Sequence, residues 1–80
     1  MILFSAHAEA ALARRRLRRA WIESAILEPD RTEPDAGAPE VTRSFKTIPD
    51  FGARVLRVVH RPDGHDILVI TAFFDRGARP

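Results

Sequence analysis

Apolar positions along this chain follow two rhythms: a three-and-four spacing in the front half and an alternation in the back half. Met1-Ile2-Leu3-Phe4 reads as a short strand or a hydrophobic lead-in. Ser5 follows, with a hydroxyl able to accept from the free N–H groups of a helix start. From Ala6 to Arg16 the residues are mostly Ala and Arg, both good helix formers. A second helical stretch runs from about Arg18 to Glu28, where Leu17, Trp21, Ala25 and the Ile22/Ile26 pair make an apolar stripe. At Arg16-Leu17 no Gly or Pro decides between a break and a continuous helix. Pro29 ends the helical region, and residues 29–39, with Pro34, Gly37 and Pro39, read as a long loop.

Beyond that loop the pattern is that of sheet. Val41 to Ile48 alternates, with Val41, Arg43, Phe45 and Thr47 on one side and Thr42, Ser44, Lys46 and Ile48 on the other. Pro49-Asp50-Phe51-Gly52 turns the chain, Arg54 to Arg61 is a second strand, and Pro62-Asp63-Gly64 is a hairpin turn. Asp66 to Asp75 is apolar on both faces, which predicts a strand that is central or lies against another subunit. Residues 76–80 read as a tail, frayed from Gly77 onward. The expected architecture is one α+β domain over residues 1–80, with helical residues 5–28 packed on a twisted antiparallel sheet of three to four strands within 40–75.

Composition narrows the function classes. Eighty residues support one domain and one core, and with no cysteine there is neither a disulfide nor a zinc knuckle. No run approaches the ~20 apolar residues of a membrane span, and the apolar start is too short for a signal-peptide core. The expectation is a cytoplasmic protein that does not contact membrane. Net charge is only +2, but of thirteen basic residues twelve are Arg, five of them between positions 14 and 19. A guanidinium is a planar fork that grips phosphate bidentately, so a phosphate-bearing partner such as RNA fits. A solvated helix face rich in Arg fits the same composition.

No phosphate loop, HExxH motif or acidic cation loop occurs, and His7, His60 and His65 show no ligand spacing. No metal or cofactor is therefore expected. His7 falls in the first turn of the first helix, where free N–H groups favour an anion. An imidazole beside such a point suits general-base activation of an RNA 2′-OH. Arg15, eight residues on, lies about two turns along the same general face and would hold phosphate. Arg43, Lys46, Arg57 and Arg61 form a basic platform if they share a sheet face; otherwise they are ordinary cross-strand partners of Glu40, Asp63 or Asp66. Thr71 offers a hydroxyl from within an apolar strand. Trp21 and most Phe residues read as core, which argues against an aromatic single-strand platform of the OB or RRM type.

The order of Ser5-x-His7-Ala8, Arg15, Leu17, Glu28-Pro29-Asp30, Arg54-Val55-Leu56-Arg57-Val58-Val59 and Asp66-Ile67-Leu68-Val69-Ile70-Thr71-Ala72 resembles a small bacterial domain family of unknown function. Its members open with His-Ala and a later Arg-Gly-Ile. The family is similar in turn to the barnase–EndoU–colicin–RelE ribonuclease fold and, more loosely, to the BrnT toxins. That resemblance implies helices on one face of a twisted antiparallel sheet and metal-free RNA cleavage. It carries the family's His onto His7, its Arg onto Arg15 and its strand Thr onto Thr71. The chain departs from the pattern at Ala11, where an Arg is usual, at Arg16 in place of Gly, and at Arg18 in place of Ser. The implied function is a metal-independent endoribonuclease, the toxin of a toxin–antitoxin-like pair, with a small antitoxin-like protein as partner. A non-catalytic module that forms a homodimer or binds such a partner is the alternative, and a DNA-binding accessory protein ranks last.

Overall fold

The computed structural model describes residues 1–78. Its elements are β1 (Ile2–Phe4), α1 (Ala6–Arg15), α2 (Arg19–Leu27), β2 (Arg31–Pro34), β3 (Thr42–Ile48), a short 3-10 turn (Pro49–Phe51), β4 (Arg54–Asp63) and β5 (Asp66–Phe74). The two helices pack on one face of a five-stranded sheet ordered β1-β5-β4-β3-β2. β1 runs parallel to β5, and the other pairings are antiparallel. The sheet is therefore mixed and larger than three to four antiparallel strands. The two additional strands are the short lead-in and a four-residue piece of the supposed loop 29–39. Arg31-Thr32-Glu33-Pro34 has no apolar periodicity; it is a strand because the edge of β3 supplies its hydrogen-bond partners. Of the expected tail, Gly77 and Ala78 bond back to Asp75, and the last two residues lie outside the described ones.

Ser5 fixes where the helical layer begins. Its Oγ accepts from the Ala8 N–H at 3.0 Å and donates to the Ile70 carbonyl at 3.1 Å, while its own N–H donates to the Val69 carbonyl. One side chain thus caps α1 and ties it to β5. Ala8, Ala11 and Leu12, at three- and four-residue spacing, are the buried residues of α1. The helix stops at Arg16, whose φ of 54° is left-handed. The Arg16 N–H donates to the Ala13 carbonyl and the Leu17 N–H to the Leu12 carbonyl, and Leu12 and Leu17 are both buried. This is a Schellman ending, which usually has Gly at the left-handed position. A helix break without Gly or Pro is thus explained by Leu17 being needed in the core.

The left-handed conformation costs a residue with a Cβ about 1–2 kcal/mol relative to Gly, part of which Gly gives back as unfolded-chain entropy. Arg16→Gly is expected to stabilise the fold by roughly 0.5–1 kcal/mol, read as a rise of a few degrees in Tm.

Ile22 and Ala25 of α2 join Ala8, Leu12 and Leu17 over Ile48, Leu56, Val58, Val69 and Ala72 of the sheet. β5 lies inside the sheet, as its two apolar faces predict, but its alternation is interrupted. Val59 pairs with Thr71 and His60 with Val69, leaving Ile70 as an extra residue in a bulge. The bulge is why Val69 and Ala72, three apart, both reach the helical core. The β4–β5 hairpin closes one residue later than expected: Asp63 pairs with Asp66 across Gly64-His65, and Gly64 takes the positive φ.

Candidate nucleic-acid interface

His7 is the second residue of α1 and is exposed; Arg15 is its last residue and is also exposed. Eight residues of α-helix separate them by about 12 Å along the axis. They therefore share the helical layer, about two turns apart. Thr71 lies elsewhere. Its neighbour Ala72 points into the helical core, so Thr71 points to the helix-free face of the sheet, opposite Val59. The structure brings His7 and Arg15 to one layer and leaves Thr71 on the other side of the sheet.

The sheet cations also divide. Arg43 and Arg57 stand on the helix-free face, while Lys46 stands on the helix side and donates to the Glu28 carbonyl at 2.7 Å, satisfying the end of α2. Arg43 is closed onto Asp35 (2.8 Å) and Glu33 (3.5 Å). The hydrogen bond from Arg43, reinforced by the Gly37 N–H, holds the Asp35 carboxyl below the usual carboxylate range, and Arg43 is raised reciprocally. Arg57 bonds Asp75 at 3.1 Å, lies between the rings of Phe45 and Phe73, and leaves its Nε buried without a partner. Arg31 covers Phe45, with its guanidinium carbon 3.8 Å from the ring centre, and pairs with Glu33. Phe45 is 3% exposed although no helix covers that face. The arginines here act as its lid, and carboxylates occupy their forks.

The Arg57–Asp75 pair is 23% and 20% exposed, so removing one partner strands the other in a poorly hydrated place. Asp75→Ala is expected to cost about 2 kcal/mol in urea unfolding. Burial by itself would raise the Asp75 carboxyl, but the Arg57 hydrogen bond and the Gly77 N–H outweigh it and leave it lowered. A carboxyl lowered in the folded state stabilises above its unfolded value, near pH 4, and that stability is lost as pH falls through the lower folded value. The variant should therefore lose part of the wild-type decline in stability below about pH 4.

Ser44 and His60 form a close Ser–His pair, Oγ to Nε2 at 2.7 Å. Ser44 is 1% exposed, and burial lowers the His60 pKa. Among the described residues no carboxylate is hydrogen-bonded to the imidazole, and the buried Ser44 is a latch between β3 and β4 rather than a nucleophile open to substrate. Among the described residues there is no cluster of three or more metal-ligating side chains, and no helix is long and apolar enough to cross a membrane.

The domain of unknown function DUF4258 matches residues 4–74, from the last residue of β1 to the end of β5. The chain belongs to this family. Comparison with curated proteins and with solved structures gives no significant match.

In this DUF4258 chain four cations without carboxylate partners gather where α1 meets α2. Among the described residues Arg14, Arg15, Arg16 and Arg18 make no ion pair, and all are exposed; Arg19 pairs with Glu9. Beside them an aromatic group closes one end of the helical layer. Trp21 meets Phe51 and Phe74 edge-on at 5.9 and 6.0 Å, and Phe51 stacks on Phe74 at 4.5 Å. Arg18 lies over Trp21, and Arg54 flanks the Phe51–Phe74 stack, 5.5 and 5.3 Å from the two ring centres. Trp21, Phe4 and Phe74 pack against the core and Phe45 is buried, as expected of Trp21 and most Phe; the exposed Phe51 is the exception. The available signal was a Phe inside a Pro-Asp-Phe-Gly turn with an Arg two residues beyond it.

Proposed function

We propose that this DUF4258 protein is a metal-independent endoribonuclease with the RelE/BrnT-like character that its sequence resembles, and that it binds RNA through its helical layer. The observation that carries this reading is the cluster of four arginines without ion-pair partners at the end of α1 and the link to α2. On the helix-free face of the sheet, by contrast, Arg31, Arg43 and Arg57 are engaged by Glu33, Asp35 and Asp75. Arg14, Arg15, Arg16 and Arg18 face water with no carboxylate partner among the described residues. Phosphates are the ligands that such guanidinium groups take.

In this reading His7 accepts the proton of a ribose 2′-OH. The 2′-oxygen bonds to phosphorus, the P–O5′ bond breaks, and the leaving oxygen receives a proton from the imidazolium or from water. The products are a 2′,3′-cyclic phosphate and a 5′-OH end. Arg15, about 12 Å along the helix, holds a neighbouring phosphate of the same strand. Thr71, on the far face, takes no part. Purified protein incubated with RNA in EDTA should generate cyclic-phosphate ends, and intact RNA after long incubation would sink the reading. A toxin role with an antitoxin-like protein as partner follows from the same reading.

A further inference from the structure

We infer that the hollow beside the 3-10 turn is a subsite for one unpaired RNA base, stacked on Phe51 with its flanking phosphates on Arg18 and Arg54. The inference rests on the RNA-binding reading above and deepens it. The hollow measures about 390 Å³ and is lined by Asp50, Phe51, Gly52 and Arg54. Phe51 is 39% exposed, unusual for a large apolar side chain in this fold. Its ring is held from behind by Phe74 and at its edge by Trp21. A ring fixed in this way presents a π-face at little entropic cost, and every base can stack on it. Arg54 and Arg18, at 5.5 Å from the Phe51 ring and 5.7 Å from the Trp21 ring, form no ion pair among the described residues. Two uncommitted guanidinium groups beside an exposed aromatic face are complementary to a base and its backbone, whereas a purely apolar partner would strand both charges.

Asp50 gives the hollow a preference. A carboxylate accepts hydrogen bonds from an exocyclic amine, whereas uracil's one donor on that edge, N3–H, is flanked by two carbonyl oxygens that repel it, so Asp50 favours bases with an exocyclic amine over uracil. Gly52, with φ of 64° and nothing within 4 Å of where a Cβ would stand, turns the chain away and leaves the approach open.

The chain has a single tryptophan, and it touches the proposed subsite, so its fluorescence reports occupancy directly. The test titrates His7→Ala protein, which would not consume the ligand, with end-labelled oligo(A), oligo(C) and oligo(U). Anisotropy follows total binding and Trp21 emission follows the subsite. Expected are quenching on binding, tighter binding of oligo(A) and oligo(C) than oligo(U), and about tenfold weaker binding in Phe51→Ala. Phe51→Leu, which keeps apolar bulk without a π-face, should resemble Phe51→Ala. Asp50→Asn should narrow the difference between the oligomers. Binding seen by anisotropy with no Trp21 quenching and no effect of Phe51→Ala would overturn the subsite while leaving RNA binding intact. No binding in either channel would overturn both.

Discussion

His7→Ala is expected to lower RNA cleavage in EDTA by about 10²–10⁴-fold, the range lost when a general acid–base is deleted. The substitution isolates chemistry because His7 is exposed and α1 does not depend on it. The cap is Ser5, and Ala is the better helix former. Circular dichroism and Tm should therefore stay at wild-type values. RNA affinity at low salt should also hold, since the cations that grip phosphate are untouched. Arg15→Ala should behave differently. At about 12 Å from His7 along the helix, its guanidinium is proposed to bind a phosphate next to the scissile one, so its loss should raise KM more than it lowers kcat. Cleavage undiminished in His7→Ala would remove the imidazole from the mechanism, however strongly RNA still binds.

The helices, the β3 alternation and the interior position of β5 were legible because each is a local pattern. Leu17, Trp21, Ile22 and Ala25 keep helical spacing, and Thr42 to Ile48 keeps a period of two. What was hidden depends on partners distant in sequence. β2 has no pattern of its own and is ordered by β3. The bulge at Ile70 comes from β4 pairing out of step with an uninterrupted apolar run. The site was half legible for the same reason. A His at a helix start and a cluster of arginines can be read off the chain, whereas the engagement of Arg43 by Asp35, eight residues before it, and of Arg57 by Asp75 could not be. Thr71 was assigned by its place in a motif. Which face it takes is set by the pleat of β5, and that pleat sends Ala72, not Thr71, toward the helices. Arg16 shows the reverse case: the resemblance implied Gly at this position, a residue suited to left-handed backbone, and the chain adopts that conformation even with Arg there.

Leu56→Ala is expected to be the most damaging single truncation, at about 3 kcal/mol. Leu56 is fully buried in β4, the middle strand of five, and belongs to the cluster that holds Ile22 and Ala25 of α2 to the sheet. Truncation removes three methyl(ene) carbons from a place where neither the paired strands nor the helix can move inward to fill the gap. A domain of this size is stable by roughly 4–12 kcal/mol, so the variant should keep the native fold at 25 °C with a urea midpoint reduced by a quarter or more. Its Tm should fall by roughly 15 °C. Leu27→Ala is the matched control: the same atoms are removed from a side chain that is 71% exposed, and the effect should stay within about 0.5 kcal/mol. The contrast also reaches the proposed activity. α1 and its link to α2 carry His7 and Arg14, Arg15, Arg16 and Arg18, and Leu56 helps anchor that layer to β4, so the proposed cleavage by Leu56→Ala should match wild type at low temperature and fail at the lowered Tm. Equal losses of stability in the Leu56 and Leu27 variants would mean that the helical layer is not seated on β4.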